Sequence, residues 1–309
     1  MTPSARAPND PPRLHIENVY KRYGARTVLD NIDLSVAPGE LCTVVGPSGC
    51  GKSTLLRIVV GQEAASEGQV LIDGAPVGLP DGYRGIVYQK YSLFPHLTAL
   101  ENVLLGKTLE YPFYRRRAAL AAHREEAMEL LERARIAEHA GKYPHELSGG
   151  MQQRVAIAQT LIKRPRIVLM DEPFGALDAG VREDMQVLLL ELWETYQMSV
   201  FFVTHDLEEA AYLGTRVVVL SQYYTDDRGP AAGPDRGAKI VADHPLPRRA
   251  MPTVVKSSPE FNDLVQQIRR EGFDPAYLRH ARDFNLRHPD AFQTLTPEED
   301  SHAATRAAP

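Results

Sequence analysis

The chain has 309 residues, 43% of them hydrophobic and 24% charged, which is enough for one large globular domain with an appendage. Its 35 basic and 40 acidic side chains leave a net charge of -5, so no bulk basic excess asks for a nucleic-acid partner. Only two cysteines, Cys42 and Cys50, no apolar run of membrane-spanning length and no secretory leader in "MTPSARAPNDPPR" predict a chain held in a reducing compartment and not itself embedded in a membrane.

Residues 1–13 are proline-rich and are expected to be disordered. From Leu14, "LHIENVYKRYG" and "TVLDNIDLSVAPGE" alternate apolar and polar positions, which predicts half-buried antiparallel strands. "LCTVVG", "IVYQ", "RIVLMDEP", "SVFFVTH" and "RVVVLS" are short apolar runs separated by helical stretches, the pattern of a parallel sheet buried on both faces. Between two of these runs, Arg115 to Arg135 carries Ala127, Leu131 and Ala134 at helical spacing and predicts an amphipathic helix within a helical subdomain of about residues 92–164. The tract "QYYTDDRGPAAGPDRGAK" reads as a linker over residues 223–252. Helical patterning resumes in "SPEFNDLVQQIRREGF", with Ser258 as cap and Pro259 at the first helical position, within an extension over residues 253–296. Residues 297–309 are expected to be disordered.

"GPSGCGKST", comprising Gly46, Pro47, Ser48, Gly49, Cys50, Gly51, Lys52, Ser53 and Thr54, satisfies G-x-x-x-x-G-K-[ST] between a strand and a helix. Its glycines let backbone N–H groups curl around phosphates at a helix N-terminus. Lys52 then reaches the β- and γ-phosphates, and the Ser53 hydroxyl is placed to coordinate Mg²⁺. In "RIVLMDEP", Asp171 would steady that ion, and Glu172 would orient and deprotonate the attacking water. His205 follows another buried strand and should emerge at the same carboxyl edge, within reach of the γ-phosphate. Gln89, at the end of "GIVYQ", is placed to sense both Mg²⁺ and the water.

A second glycine turn, "LSGGMQQR", precedes a helix with Val155, Ala158 and Ile162 on one face. Ser148, Gly149 and Gly150 thus open another helix N-terminus able to receive an anion. If the helical subdomain carries this turn away from the sheet, it acts in trans: two chains pack head to tail, each closing the other's ATP.

Together these residues resemble the ATP-binding cassette ATPases over Leu14 to Gln222. The ordered motifs are the Walker A loop, Gln89 as the Q-loop, the LSGG signature, the Walker B strand, "GALD" with Asp178 as the D-loop, and His205 as the switch histidine. The resemblance implies an α/β P-loop NTPase (RecA-like) core with a mixed, mainly parallel sheet, an N-terminal antiparallel β-subdomain and an inserted helical signature subdomain. It also implies that Tyr23 stacks on the adenine; the residues alone allow Tyr23 to be a core aromatic as readily. "YSLFPHLTALENV", "LSGGMQQRVAIAQTL" and "THDLEEAAYLGTRVVVLS" look like ATPase subunits of bacterial importers of the nitrate, sulfonate and taurine group, although Thr215 stands where many members have aspartate.

The resemblance further implies ATP and Mg²⁺ as ligands, and a cassette dimer, either a homodimer or a pairing with a second cassette, with ATP at its interface. It implies membrane permease subunits and, through them, a solute-binding protein, with the chain peripheral on the cytoplasmic face of the membrane and no nucleic-acid partner. Tyr91, Leu93, Phe94, Pro95 and His96 would line the groove for a permease helix, or else pack within the helical subdomain. Arg115, Arg116 and Arg117 open a solvated helix or meet lipid headgroups. Two other classes stay open on the residues: a soluble cassette acting on nucleic acid or ribosomes, and a P-loop kinase. The former would be expected to carry a coiled coil, a second cassette or a basic arm, and the latter has no use for LSGG.

Overall fold

A computed structural model describes residues 12–89, 92–109, 111, 112, 114, 116–230, 236–246 and 253–280. The two expected disordered ends, apart from residues 12 and 13, and residues 281–296 of the extension lie outside the described residues, as do Tyr91 and Arg115 and the side chains of Arg116 and Arg117.

The alternating segments after Leu14 form β1 (Leu14–Tyr23) and β2 (Arg26–Val36), an antiparallel pair turned at Gly24. With β4 (Glu67–Ile72) and β5 (Ala75–Pro76) they make a four-stranded sheet ordered β2-β1-β4-β5. The apolar runs form the second sheet: β3 (Leu41–Val45), β6 (Arg84–Tyr88), β7 (Ile167–Asp171), β8 (Ser199–Val203) and β9 (Arg216–Ser221), all parallel in the order β9-β3-β8-β7-β6. β3, β8 and β9 are buried at every residue because both faces of this sheet are covered.

One apolar cluster joins Leu14, Ile16, Leu29 and Ile32 of the antiparallel sheet to Val44, Leu169 and Phe201 of the parallel one, with Leu55, Val59 and Val60 of α1 (Lys52–Val60). The other cluster gathers α2 (Ala99–Thr108), α3 (Arg116–Arg133), α4 (Gly149–Leu161), α5 (Ala179–Tyr196) and α6 (Leu207–Leu213). Ala127, Leu131 and Ala134 are buried in it, as the helical spacing predicts. α2 starts with a capping box in which the Thr98 hydroxyl accepts from the Glu101 N–H and the Glu101 carboxylate accepts from the Thr98 N–H, securing two donors that the first turn leaves unpaired.

The expected linker over residues 223–252 is corrected by the structure. Its described residues hold β10 (Tyr224–Asp226), β11 (Gly229–Pro230) and β12 (Lys239–Pro245), and β12 lies antiparallel on β9 as the sixth strand of the main sheet. Tyr224 is fully buried, and its hydroxyl lies 3.0 Å from both Asp30 and the Gly237 carbonyl. Glycine and proline in the tract therefore do not exclude strands; pairing with β9 is what makes β12 one.

Arg216, 5% exposed, ties the added strand down: it bonds Asp243 of β12 through Nε at 2.8 and 2.9 Å, and the Ser35 carbonyl at 2.7 Å. Burial opposes its charge, yet Asp243 and Glu40 hold its proton more tightly than usual. Asp243→Ala leaves this guanidinium short of its main counter-charge, and a loss of about 3 kcal/mol is expected in urea unfolding.

The helical extension is α7 (Pro259–Phe273), capped by Ser258 with Pro259 in its first turn as predicted. It buries Phe261, Val265 and Ile268 in the larger cluster, so it belongs to the core and is not a solvated appendage. Gly272 fits against β9 because a Cβ there would lie 2.3 Å from Val219 Cγ1. Beyond it, β13 (Arg279–His280) runs parallel to β10.

Candidate functional site

Parallel register sets the site. Tyr88, Asp171 and Val203 stand abreast on β6, β7 and β8, and Val44 of β3 pairs with Val203. The residues that leave these strand ends, Gln89, Glu172, His205 and the turn from Gly46, therefore emerge together at one carboxyl edge, where open α/β sheets bind ligands.

The first glycine turn is built around missing side chains. A Cβ on Gly46 would lie 2.1 Å from the Leu220 carbonyl oxygen, while Gly49 and Gly51 adopt φ of 79° and 105°, the left-handed region that favours glycine. Lys52, only 6% exposed, donates to the Gly46 and Pro47 carbonyls at 2.8 and 3.1 Å. Neither partner is anionic, so the buried ammonium is held at the loop without a carboxylate, which is the arrangement a phosphate group completes. Pro47, Ser48 and Gly49 form the open rim of the loop, whereas Cys50 is buried and thiol-bonded toward the Leu220 carbonyl at 3.6 Å. Burial pushes the Cys50 thiol above its ordinary value, so it is a packing residue and not a reactive one.

Ser53 Oγ donates to Asp171 Oδ1 at 3.2 Å, bringing together the hydroxyl and carboxylate that the sequence assigns to Mg²⁺. Burial raises the Asp171 carboxyl, against the Ser53 bond, and the charge of Glu172 raises it further. A divalent cation would relieve that excess of negative charge, so the donor set fits the ion.

Glu172 has φ of 46°, which is uncommon outside glycine and asparagine and costs of order 1 kcal/mol. Its N–H still bonds the Val203 carbonyl at 2.8 Å, so the chain twists out of β7 at this residue while staying tied to β8. The carboxylate then lies 3.1 Å from His205 Nδ1; the imidazole is 55% exposed. Gly175 lies beside both Gln89 and His205: a Cβ there would stand 3.4 Å from Gln89 Nε2 and 3.8 Å from His205 Cε1. The structure thus gathers the phosphate loop, Asp171, Glu172, His205 and Gln89.

Tyr23 is 47% exposed, which removes the core-aromatic alternative. Its hydroxyl bonds Glu63, which also pairs with Arg57 of α1 at 3.3 Å, so the ring lies beside the helix that follows the phosphate loop. Arg57 itself was not singled out in the sequence. It also influences Asp171, and its spacing of four from Ser53, one helical turn, is the signal that identifies it.

Ser148, Gly149 and Gly150 stand apart from this group. They open α4, which packs on α2, α3, β6 and α5, whereas α1 packs on β7 and β8. Ser148 caps α4 by accepting from the Met151 N–H at 3.4 Å, and Val155, Ala158 and Ile162 are buried as predicted. A Cβ on Gly150 would lie 2.4 Å from Val181 Cγ1 on α5. The helix containing Val181 starts after Asp178, whose side chain is exposed and makes no cap bond. Signature turn and D-loop are therefore neighbours on one face.

Phe94 is 45% exposed and meets His96 edge-on, with 5.9 Å between ring centroids. Its backbone is pinned by the fully buried Asn102, which bonds its N–H at 2.7 Å and its carbonyl at 3.2 Å. Leu93 packs partly against the core, while Pro95 and His96 are exposed.

The profile of the ABC transporter family matches residues 29–175. The chain is 39% identical to the aliphatic sulfonates import ATP-binding protein SsuB of Bacillus subtilis over 82% of this chain and 91% of that protein. It is 42% identical to the taurine import ATP-binding protein TauB of Chromobacterium violaceum, over 84% and 95% respectively. Among solved structures it resembles a dimeric ATP-binding cassette in a post-hydrolysis state bound to ADP and Pi, with a TM-score of 0.59, 32% identity and coverage of 76% of this chain and 100% of that one. No helix among the described residues is long and apolar enough to cross a membrane. By sequence, fold and the grouping of its site, the chain belongs to the ABC transporter family as one of its ATP-binding, ATP-hydrolysing cassettes, not to the phosphate-loop kinases.

Proposed function

We propose that this cassette is the motor subunit of an importer, coupling ATP binding and hydrolysis in a dimer to uptake of a small solute. The observation that carries this reading is identity of 39% and 42% along nearly the whole length of two import subunits. The solute class is a sulfonate, taurine, nitrate or a small nitrogen compound, and the selecting groups lie on other subunits.

Within the dimer, Ser148, Gly149 and Gly150 of one chain close over the nucleotide held by Gly46 to Thr54 of the other, with Asp178 at the seam and Tyr23 on the adenine. Cassettes of this fold are described as dimers, and the separation of α4 from α1 in this chain suits closure in trans. Ser53 and Asp171 would hold Mg²⁺, with Gln89 beside them, and the ion when bound would supply positive charge against the phosphates. Glu172 takes the proton of the attacking water, and His205 steadies both that carboxylate and the γ-phosphate. ATP favours the closed pair and phosphate release the open one, a population shift set by the difference in affinity for the two states. The Phe94 surface, held outward by Asn102, receives the cytoplasmic helix of a permease, which places the cassette peripherally on the cytoplasmic face of the membrane.

A pull-down of the tagged chain from detergent-solubilised membranes, followed by mass spectrometry, tests this assignment. A multispanning permease together with a solute-binding protein is the expected catch. Recovery of the chain from the cytosol alone, or with ribosomal or DNA-repair proteins, would remove the transport role and leave only the ATPase.

A further inference from the structure

The segment between the end of β8 and α6 carries His205, and a buried polar chain holds its rear. Thr204 Oγ1 donates to Glu209 at 2.6 Å and accepts from the Asp206 N–H at 3.1 Å, while the Thr204 N–H bonds Val44 of β3 at 3.1 Å. Both neighbours of His205 in the chain are therefore fixed through one threonine. The Glu209 carboxylate is buried, and burial raises it above the ordinary carboxylate range. Its second donor is Gln186 Nε2 of α5 at 3.1 Å.

The other end of that amide points to the C-terminal extension. Gln186 Oε1 accepts from Lys256 Nζ at 2.7 Å, and the same ammonium stands 4.3 Å above the Tyr212 ring. Lys256 and Glu209 thus hold the amide from its two ends, the ammonium on its oxygen and the carboxylate on its N–H₂; without Lys256 only the bond to Glu209 locates it. α7, which follows Lys256, also faces the switch segment: Gln266, Arg269, Arg270 and Phe273 line a cleft of about 740 Å³ together with His205, Asp206, Leu207 and Glu208.

We infer that Lys256 is a positioning residue for hydrolysis, acting from the C-terminal extension through Gln186, Glu209 and Thr204 on the placement of His205. The extension is then part of the hydrolytic machinery of this cassette. The inference rests on the assignment of His205 to hydrolysis proposed above, and the test separates the two.

Steady-state ATP hydrolysis by the full chain is measured for Lys256→Met, Gln186→Leu, the double variant, Lys256→Arg and His205→Ala, each with its urea midpoint. Lys256→Met and Gln186→Leu are each expected to lower kcat about fivefold with KM for ATP within about twofold, and the double variant to fall no further, because the pair acts as one unit. Lys256→Arg keeps a cation and a donor at the amide and is expected to stay within about twofold of the wild type. Unchanged kcat in Lys256→Met and Gln186→Leu, while His205→Ala is impaired, would overturn the relay alone. Full activity in His205→Ala would overturn the role of His205 and the relay with it. A fall in kcat that tracks the folded fraction, or that adds in the double variant, would reduce Lys256 to ordinary packing.

Discussion

Replacing Glu172 by glutamine is expected to slow ATP hydrolysis by about 10²-fold or more, the scale of losing a positioned general base. Glutamine keeps the length and shape of the side chain, and the φ of 46° and the N–H bond to Val203 belong to the backbone, so the twist that carries the side chain out of β7 is retained. What is lost is the carboxylate 3.1 Å from His205 Nδ1 and its ability to take a proton from water. Binding uses other groups, so the variant should still hold ATP and, unable to pass on to the open state, accumulate as an ATP-bound dimer visible by light scattering. Single-turnover hydrolysis near the wild-type rate would remove Glu172 from its assigned role.

Lys52→Ala should act one step earlier, at binding. The Lys52 ammonium is buried, and its two partners are carbonyls of the loop it belongs to, so in the absence of nucleotide it contributes little to stability beyond offsetting its own desolvation. Toward phosphate it supplies charge-assisted bonds, each worth about 1.5–3 kcal/mol. A fall in ATP affinity of about 10²-fold is expected by calorimetry, with hydrolysis lost and the urea midpoint nearly unchanged. Wild-type affinity in the variant would mean that the loop holds its nucleotide by backbone alone.

Much of the site was legible because its signals are local. The strand, loop and helix around Gly46 to Thr54, the acidic pair after β7 and the histidine after β8 are each read from a few consecutive residues, and the parallel register then carries them to one edge. The parts that escaped depend on distant pairing. β12 follows a glycine- and proline-rich tract and becomes a strand only because β9 offers it an edge. The bond from Lys256 to Gln186 spans 70 residues, and neither side chain sits in a motif. The left-handed turn at Glu172 is set by its bond to β8, which no composition signal reveals. Tyr23 was ambiguous because an aromatic at a strand end fits both a core and a surface, and only its exposure separates them.

Completion of one chain's phosphate loop by the signature turn of another is tested most directly by mixing two inactive variants. Lys52→Ala disables the loop, and Ser148→Arg blocks the signature turn at an exposed cap position, where loss of the cap costs about 1 kcal/mol. Each is expected to be inactive alone. In a head-to-tail dimer, a mixed pair contains one site with both lesions and one with neither. Equal mixing should therefore restore hydrolysis to about a quarter of the wild-type rate per chain, since half of random pairs are mixed and each has one intact site of two. If the mixture stays as inactive as its components while the wild type hydrolyses ATP under the same conditions, the two turns serve the same chain and closure in trans is contradicted.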